Sequence, residues 1–129
     1  MNDTSILDET YTLTNGVKVP KLGLGTWFID DASAAEAVRA AIEIGYRNID
    51  TAQAYGNERG VGEGVRTSGV AREDLFVSTK LAAEVKDYDG AVAAIDGSLQ
   101  ALGLDYVDLM LIHSPQPWND FRGGDYAEG

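Results

Sequence analysis

The chain has 129 residues, 44% of them hydrophobic, with 21 acidic against 10 basic side chains and a formal net charge of -11. That length fits one domain with a real core, and the hydrophobic share is globular rather than disordered. The acidic balance argues against nucleic acid as a partner, and it would repel an anionic dinucleotide unless local cations or helix N-termini overcame it.

Cysteine is absent, so there is no disulfide frame, thiolate nucleophile or thiolate metal site, and a single histidine makes a histidine-based metal centre improbable. The N-terminus, MNDTSILDET, is acidic and lacks an apolar signal core. No apolar run approaches membrane-spanning length, so the expectation is a cytoplasmic protein with no membrane partner.

Residues 1–9 read as a tail, and residues 10–20 (TYTLTNGVKVP) as two short strands around Asn15-Gly16. That dipeptide predicts a hairpin whose two turn positions both take positive φ. KLGLGTW reads as a short strand whose glycines let another backbone come close. Asp30, Asp31 and Ser33 are candidate caps for a helix over roughly 32–45, with Ala35, Val38, Ile42 and Gly45 on one face and Gly45 as its C-cap.

The pattern then repeats. Strands are expected at 47–50, 75–80 and 106–113, with a weak glycine-containing helix at 57–67 between the first two. A clear amphipathic helix at 89–103 carries Val92, Ile95, Leu99 and Leu102 as its apolar stripe. The nearly continuous VDLMLI predicts a strand buried on both faces, as in a parallel sheet. Strands alternating with helices over short loops give β-α-β units over 21–113, and 114–129 reads as a loop after the fourth strand. The expected fold is α/β: a hairpin, four strands and three helices of a (β/α)8 barrel type. A closed barrel takes ~250 residues, so four strands make only part of one.

Asp50, Lys80 and His113 follow directly on apolar runs, and Tyr55 lies five residues beyond Asp50. In a parallel sheet these four side chains gather at the C-terminal edge, where barrels build active sites. An acid, a phenol, an amine and an imidazole can move a proton. Lys80 is costly to bury without a carboxylate, and Asp50 is the available partner. The resulting cation would favour the phenolate of Tyr55, and His113 could donate a hydrogen bond to the same substrate oxygen. Taken singly, Lys80 and Asp50 are more often a structural ion pair and His113 a satisfied core residue. Four such residues at successive strand ends favour one shared site.

GYRNIDTAQAYGNERGVGEGV, then REDLFVSTKL, then LGLDYVDLMLIHSPQP resemble the aldo-keto reductases, and NGVKVPKLGLGTW resembles that family's opening hairpin and first barrel strand. The resemblance covers about residues 10–122. It implies a barrel that reduces aldehydes and ketones with NADPH and no metal. It implies that Tyr55 is the general acid, that Lys80 and Asp50 tune it, and that His113 places the carbonyl. Gly25, Thr26 and Trp27, with Asp50, would meet the nicotinamide end of the cofactor, and Trp27, Tyr55 and His113 the substrate. Where many members have tryptophan after the histidine, this chain has Ser114, which should open the pocket wall. In the family the second half of the barrel carries most cofactor contacts, so this chain alone should bind NADPH weakly and turn over little.

Two other readings stand beside this one. A half-barrel module could self-associate through exposed strand edges. A strand-end lysine could also form a Schiff base with a carbonyl substrate, although the neighbouring Asp50 and Tyr55 favour the reductase. GVGEG at 60–64 fits no complete phosphate-loop fingerprint and reads as helix packing. Trp118 and Phe121 could line a substrate loop or, equally, be apolar residues orphaned by a truncation.

Overall fold

A computed structural model describes residues 5–115; Trp118, Phe121 and the rest of 116–129 lie outside it. Strands β1 (Thr10–Thr12) and β2 (Lys18–Pro20) form an antiparallel hairpin. Four parallel strands follow in spatial order: β3 (Leu24–Gly25), β4 (Asn48–Asp50), β5 (Phe76–Leu81) and β6 (Leu109–Ile112). Helices α1 (Asp31–Ile44), α2 (Glu58–Arg66) and α3 (Tyr88–Leu102) connect them in turn. Each strand thus pairs with the next one in the sequence, the progression of a barrel wall.

The period-2 alternation of strands sorts the two faces of this sheet. Ile49 and Val77 are in register and fully buried on the helix-facing side. They pack with Ala34, Val38 and Ile42 of α1, Val61 and Val65 of α2, Leu75, and Leu102 of α3. Burying each of the larger members contributes about 1.5–3 kcal/mol. Asp50, Ser78 and Lys80 take the opposite face, because Asp50 is in register with Ser78 and Lys80 lies two residues further along.

Helix α1 starts where Asp30 accepts the Ser33 N–H at 2.8 Å and stops at Gly45, whose φ of +125° disfavours any other residue. Helix α2 holds three glycines in nine residues, a composition that opposes helix formation by about 1 kcal/mol each. Packing decides the matter. A Cβ on Gly60 would overlap the Asp31 carbonyl, one on Gly62 the Leu102 carbonyl, and one on Gly64 would come 2.6 Å from Val38 Cβ. GVGEG is therefore the surface on which α1 and α3 close against α2.

Helix α2 is capped from outside. Its N-cap residue Asn57 makes no capping bond, and Asp31 Oδ1 accepts the Gly60 N–H at 2.8 Å instead. That hydrogen bond, with a smaller contribution from Arg59, holds the Asp31 carboxyl below its ordinary value against the opposing effect of burial.

Several sequence expectations are corrected. In the hairpin only Gly16 has positive φ (+85°). The loop closes through Leu13 N–H to Val17 O (2.8 Å) and Gly16 N–H to Leu13 O (2.9 Å), a three-residue connection rather than a two-residue one. Of KLGLGTW only Leu24–Gly25 pairs as strand. Val92 on α3 is exposed, with Ser98 and Leu102 as that helix's buried residues. VDLMLI is not buried on both faces: Leu111 and Ile112 are exposed, because among the described residues nothing pairs with β6 beyond β5.

Two glycines test the packing account. Gly62→Ala should destabilise the fold by about 1–3 kcal/mol through overlap with the α3 backbone. Gly97→Ala in α3, where a Cβ meets nothing within 4 Å, should stabilise it by about 0.5–1 kcal/mol. Urea unfolding of both variants reads the opposite signs; equal effects would contradict the account.

Candidate active site

The ends of the parallel strands bring Asp50, Tyr55, Lys80 and His113 together. Lys80 leaves β5 on the face shared with Asp50, and its Nζ donates to Asp50 Oδ1 (2.8 Å), Asp50 Oδ2 (2.7 Å) and the Thr51 carbonyl (2.8 Å). Its side chain is 13% exposed, against 36% for Asp50. A three-donor ammonium is thus fully satisfied where little water reaches it.

Ser78 steadies the carboxylate, its Oγ donating to Asp50 Oδ1 at 2.8 Å. Sequence reading missed this residue, although its i, i+2 spacing to Lys80 was a usable sign.

Tyr55 ends a 3₁₀ turn, Gln53–Tyr55, that follows β4. The turn returns the phenol over Lys80, with Oη 3.4 Å from Nζ and Nζ 5.0 Å from the ring centroid. His113 follows β6, and its backbone N–H donates to Leu81 O at 3.1 Å. The imidazole meets the Tyr55 ring edge-on, with centroids 6.0 Å apart. Two polar rings and an ammonium therefore face one space beyond the strand ends.

The loop after β3 forms another wall. Trp27 stacks on Phe28 at 4.3 Å and lies 6.5 Å from Tyr55 between centroids. Among the described residues Phe28 and Ser114 are the two non-glycine residues with positive φ, and they directly follow Trp27 and His113. Trp27, Phe28, Ile29, Asp30, Ala54 and Tyr55 line an open hollow of about 360 Å³. A second hollow of about 330 Å³ runs from Leu81 and Val85 to His113 and Ser114.

Thr26 is fully buried, and both its N–H (3.0 Å) and its hydroxyl (2.9 Å) donate to the Asp50 carbonyl. Asn57, also missed from sequence, ties together the chain leaving β3 and the chain leaving β4. Its Nδ2 donates to the carbonyls of Thr26 and Ile29 (2.8 Å each), and its Oδ1 accepts from Thr51 Oγ1 at 2.7 Å.

Gly25 leaves the end of β3 uncrowded, because a Cβ built there would meet nothing within 4 Å. The arginines at strand starts and helix ends are engaged elsewhere: Arg47 on Ile42 and Tyr46 carbonyls, Arg66 on Leu102 O, Arg72 on Asp108. Among the described residues, no group of three or more His, Asp or Glu could hold a metal ion, and no helix is long and apolar enough to cross a membrane.

The model of the aldo/keto reductase family matches residues 21–128. A 9,11-endoperoxide prostaglandin H2 reductase of Trypanosoma cruzi is 54% identical over 105 residues, covering 81% of this chain and 37% of the relative. A glyoxal reductase of Bacillus subtilis is 50% identical over 110 residues, covering 84% and 40%. The crystal structure of a Bombyx mori aldo-keto reductase in complex with NADP superposes with a TM-score of 0.75 at 43% identity, covering 81% of this chain and 38% of that one. The chain thus spans about two fifths of the length of these relatives.

The ion pair gives a direct stability test. Asp50→Asn removes the countercharge of Lys80 and should cost about 1–3 kcal/mol. The exposure of Asp50 keeps the loss below that of a fully buried pair. Adding Lys80→Met should recover part of it. Strictly additive losses in urea unfolding would show that the pair is not coupled.

Proposed function

The chain belongs to the aldo/keto reductase family, and on that premise we propose that it carries the proton-transfer part of an NADPH-dependent site reducing aldehydes and ketones. One observation carries the reading: Lys80 Nζ, held by both Asp50 oxygens, stands 3.4 Å from Tyr55 Oη. The likeness to a glyoxal reductase supports a small aldehyde as substrate, and the relative solved with NADP supports the cofactor.

In this reading the substrate carbonyl oxygen lies between the Tyr55 hydroxyl and the His113 ring. The cofactor, when bound, supplies the hydride. Tyr55 passes its proton to the oxygen as negative charge develops there, so that an alcohol results. Lys80 stabilises the charge left on the phenol oxygen, and Asp50 fixes Lys80 in place. His113 donates to the substrate oxygen and orients the carbonyl. Gly25, Trp27 and Asp50 border the nicotinamide end, with Trp27 also walling the substrate, whereas Thr26, expected there from the sequence, is fully buried and braces the Asp50 carbonyl from behind. A Schiff base on Lys80 is disfavoured, because its ammonium is already engaged by Asp50 and Thr51.

Aldehyde-dependent loss of NADPH absorbance tests this, with glyoxal as substrate. Turnover by the 129-residue chain alone should be low. In a chimera with the remaining part of the Bacillus subtilis glyoxal reductase, Tyr55→Phe should lower kcat by roughly a hundredfold or more with little change in KM. Undiminished turnover in that variant would refute Tyr55 as the proton donor.

The exposed Leu111 and Ile112 of β6, whose far edge no described strand pairs, favour a second reading, a non-catalytic half-barrel that pairs with another copy. That reading requires a sedimentation coefficient rising with concentration, and a monomer throughout would remove it.

A further inference from the structure

Gln53 opens the 3₁₀ turn that ends in Tyr55, yet its side chain reaches away from the turn in two directions. Nε2 donates to the Ala94 carbonyl (3.1 Å) and to Ser98 Oγ (3.0 Å), both on α3. Oε1 accepts the Ala82 N–H at 2.8 Å, two residues beyond Lys80. The amide thus bridges α3 and the end of β5 from the segment that carries the phenol.

The Thr51 Oγ1–Asn57 Oδ1 bond (2.7 Å) closes the base of the turn, but within the turn itself little else holds it. It is three residues long, its N-cap Ala52 makes no side-chain bond, and it ends at Gly56 in a left-handed conformation (φ +69°). Its own backbone bonds are Tyr55 N–H to Ala52 O at 3.1 Å and Gly56 N–H to Gln53 O at 3.4 Å. Runs this short have poor hydrogen-bond geometry. The contact that matters, Tyr55 Oη to Lys80 Nζ at 3.4 Å, lies at the outer limit of a hydrogen bond. It lacks the strength to hold the ring unaided.

We propose that Gln53 is a positioning residue: it clamps the Tyr55 turn between α3 and the end of β5 and so sets the phenol against Lys80 and His113. The clamp fixes both ends of the measurement, because Ala82 continues the strand that bears Lys80. Its consequence for turnover rests on the proton-donor role given to Tyr55 above, whereas its geometric claim stands without that role.

Gln53→Met keeps length and volume and removes all three bonds. Nuclear Overhauser contacts of the Tyr55 ring, assigned with Tyr55→Phe, read the geometry in the 129-residue chain itself. In Gln53→Met the contacts from Tyr55 to the Lys80 methylenes and the His113 ring should fall to less than about half, while those between Tyr11 and Val19 in the hairpin remain. A folded Gln53→Met with unchanged Tyr55 contacts would overturn the proposal. If that variant does not fold, Ser98→Ala decides, since it removes one acceptor on α3: weakened Tyr55 contacts support the clamp and unchanged ones refute it.

In the chimera, Gln53→Met should lower kcat by about 10- to 100-fold with KM within about twofold, the signature of a misplaced group rather than lost binding. If Tyr55→Phe leaves turnover intact, the proton-donor reading fails while the Overhauser result still decides the clamp.

Discussion

An ammonium stripped of most of its water must be compensated where it stands, and the strand ends of this fold are arranged around that requirement. Lys80 projects from β5 onto the side of the sheet away from the helices. There the register sets Asp50 opposite Ser78 and within reach of Nζ. Three acceptors satisfy three donors, and one of them, the Thr51 carbonyl, belongs to the chain leaving β4. The charge therefore fixes the geometry of two loops as well as its own. Moving either strand by one residue would turn Asp50 or Lys80 to the helix face, where the core admits neither.

What lies behind the sheet serves this arrangement. Ile49 and Val77 alternate with Asp50 and Ser78, so the same pleat that buries the apolar set presents the polar one. Helix α2, poor in intrinsic helix propensity, is set by the close approach its glycines permit and by a cap borrowed from Asp31. Its N-cap residue is thereby released to join the carbonyls of Thr26 and Ile29 with Thr51. A fully satisfied buried network of this kind holds the loops in one arrangement.

The strand-end residues were legible in the sequence because each apolar run halts at a polar side chain whose burial would otherwise be costly. Asp50, Lys80 and His113 carry that sign on their own runs, and Tyr55 follows from the spacing after β4. Ser78 was legible in principle from strand alternation. Gln53 and Asn57 were not, since their partners lie on elements whose proximity only the tertiary fold decides. The same limit explains the errors. Asn15-Gly16 obeys a local preference, but the loop takes one residue more than the dipeptide rule requires. Val92 and Ile112 have the right periodicity for burial, yet periodicity marks which face is apolar, not whether a neighbour covers it.

The central claim is that the fold alone preassembles the charged pair beneath the phenol, before any cofactor or substrate binds. Correlation spectra of lysine side-chain ammonium groups test it most directly in the ligand-free chain. The account predicts one slowly exchanging ammonium signal that disappears in Lys80→Met and weakens in Asp50→Asn. A Lys80 signal averaged with solvent, indistinguishable from those of the exposed lysines, would contradict it.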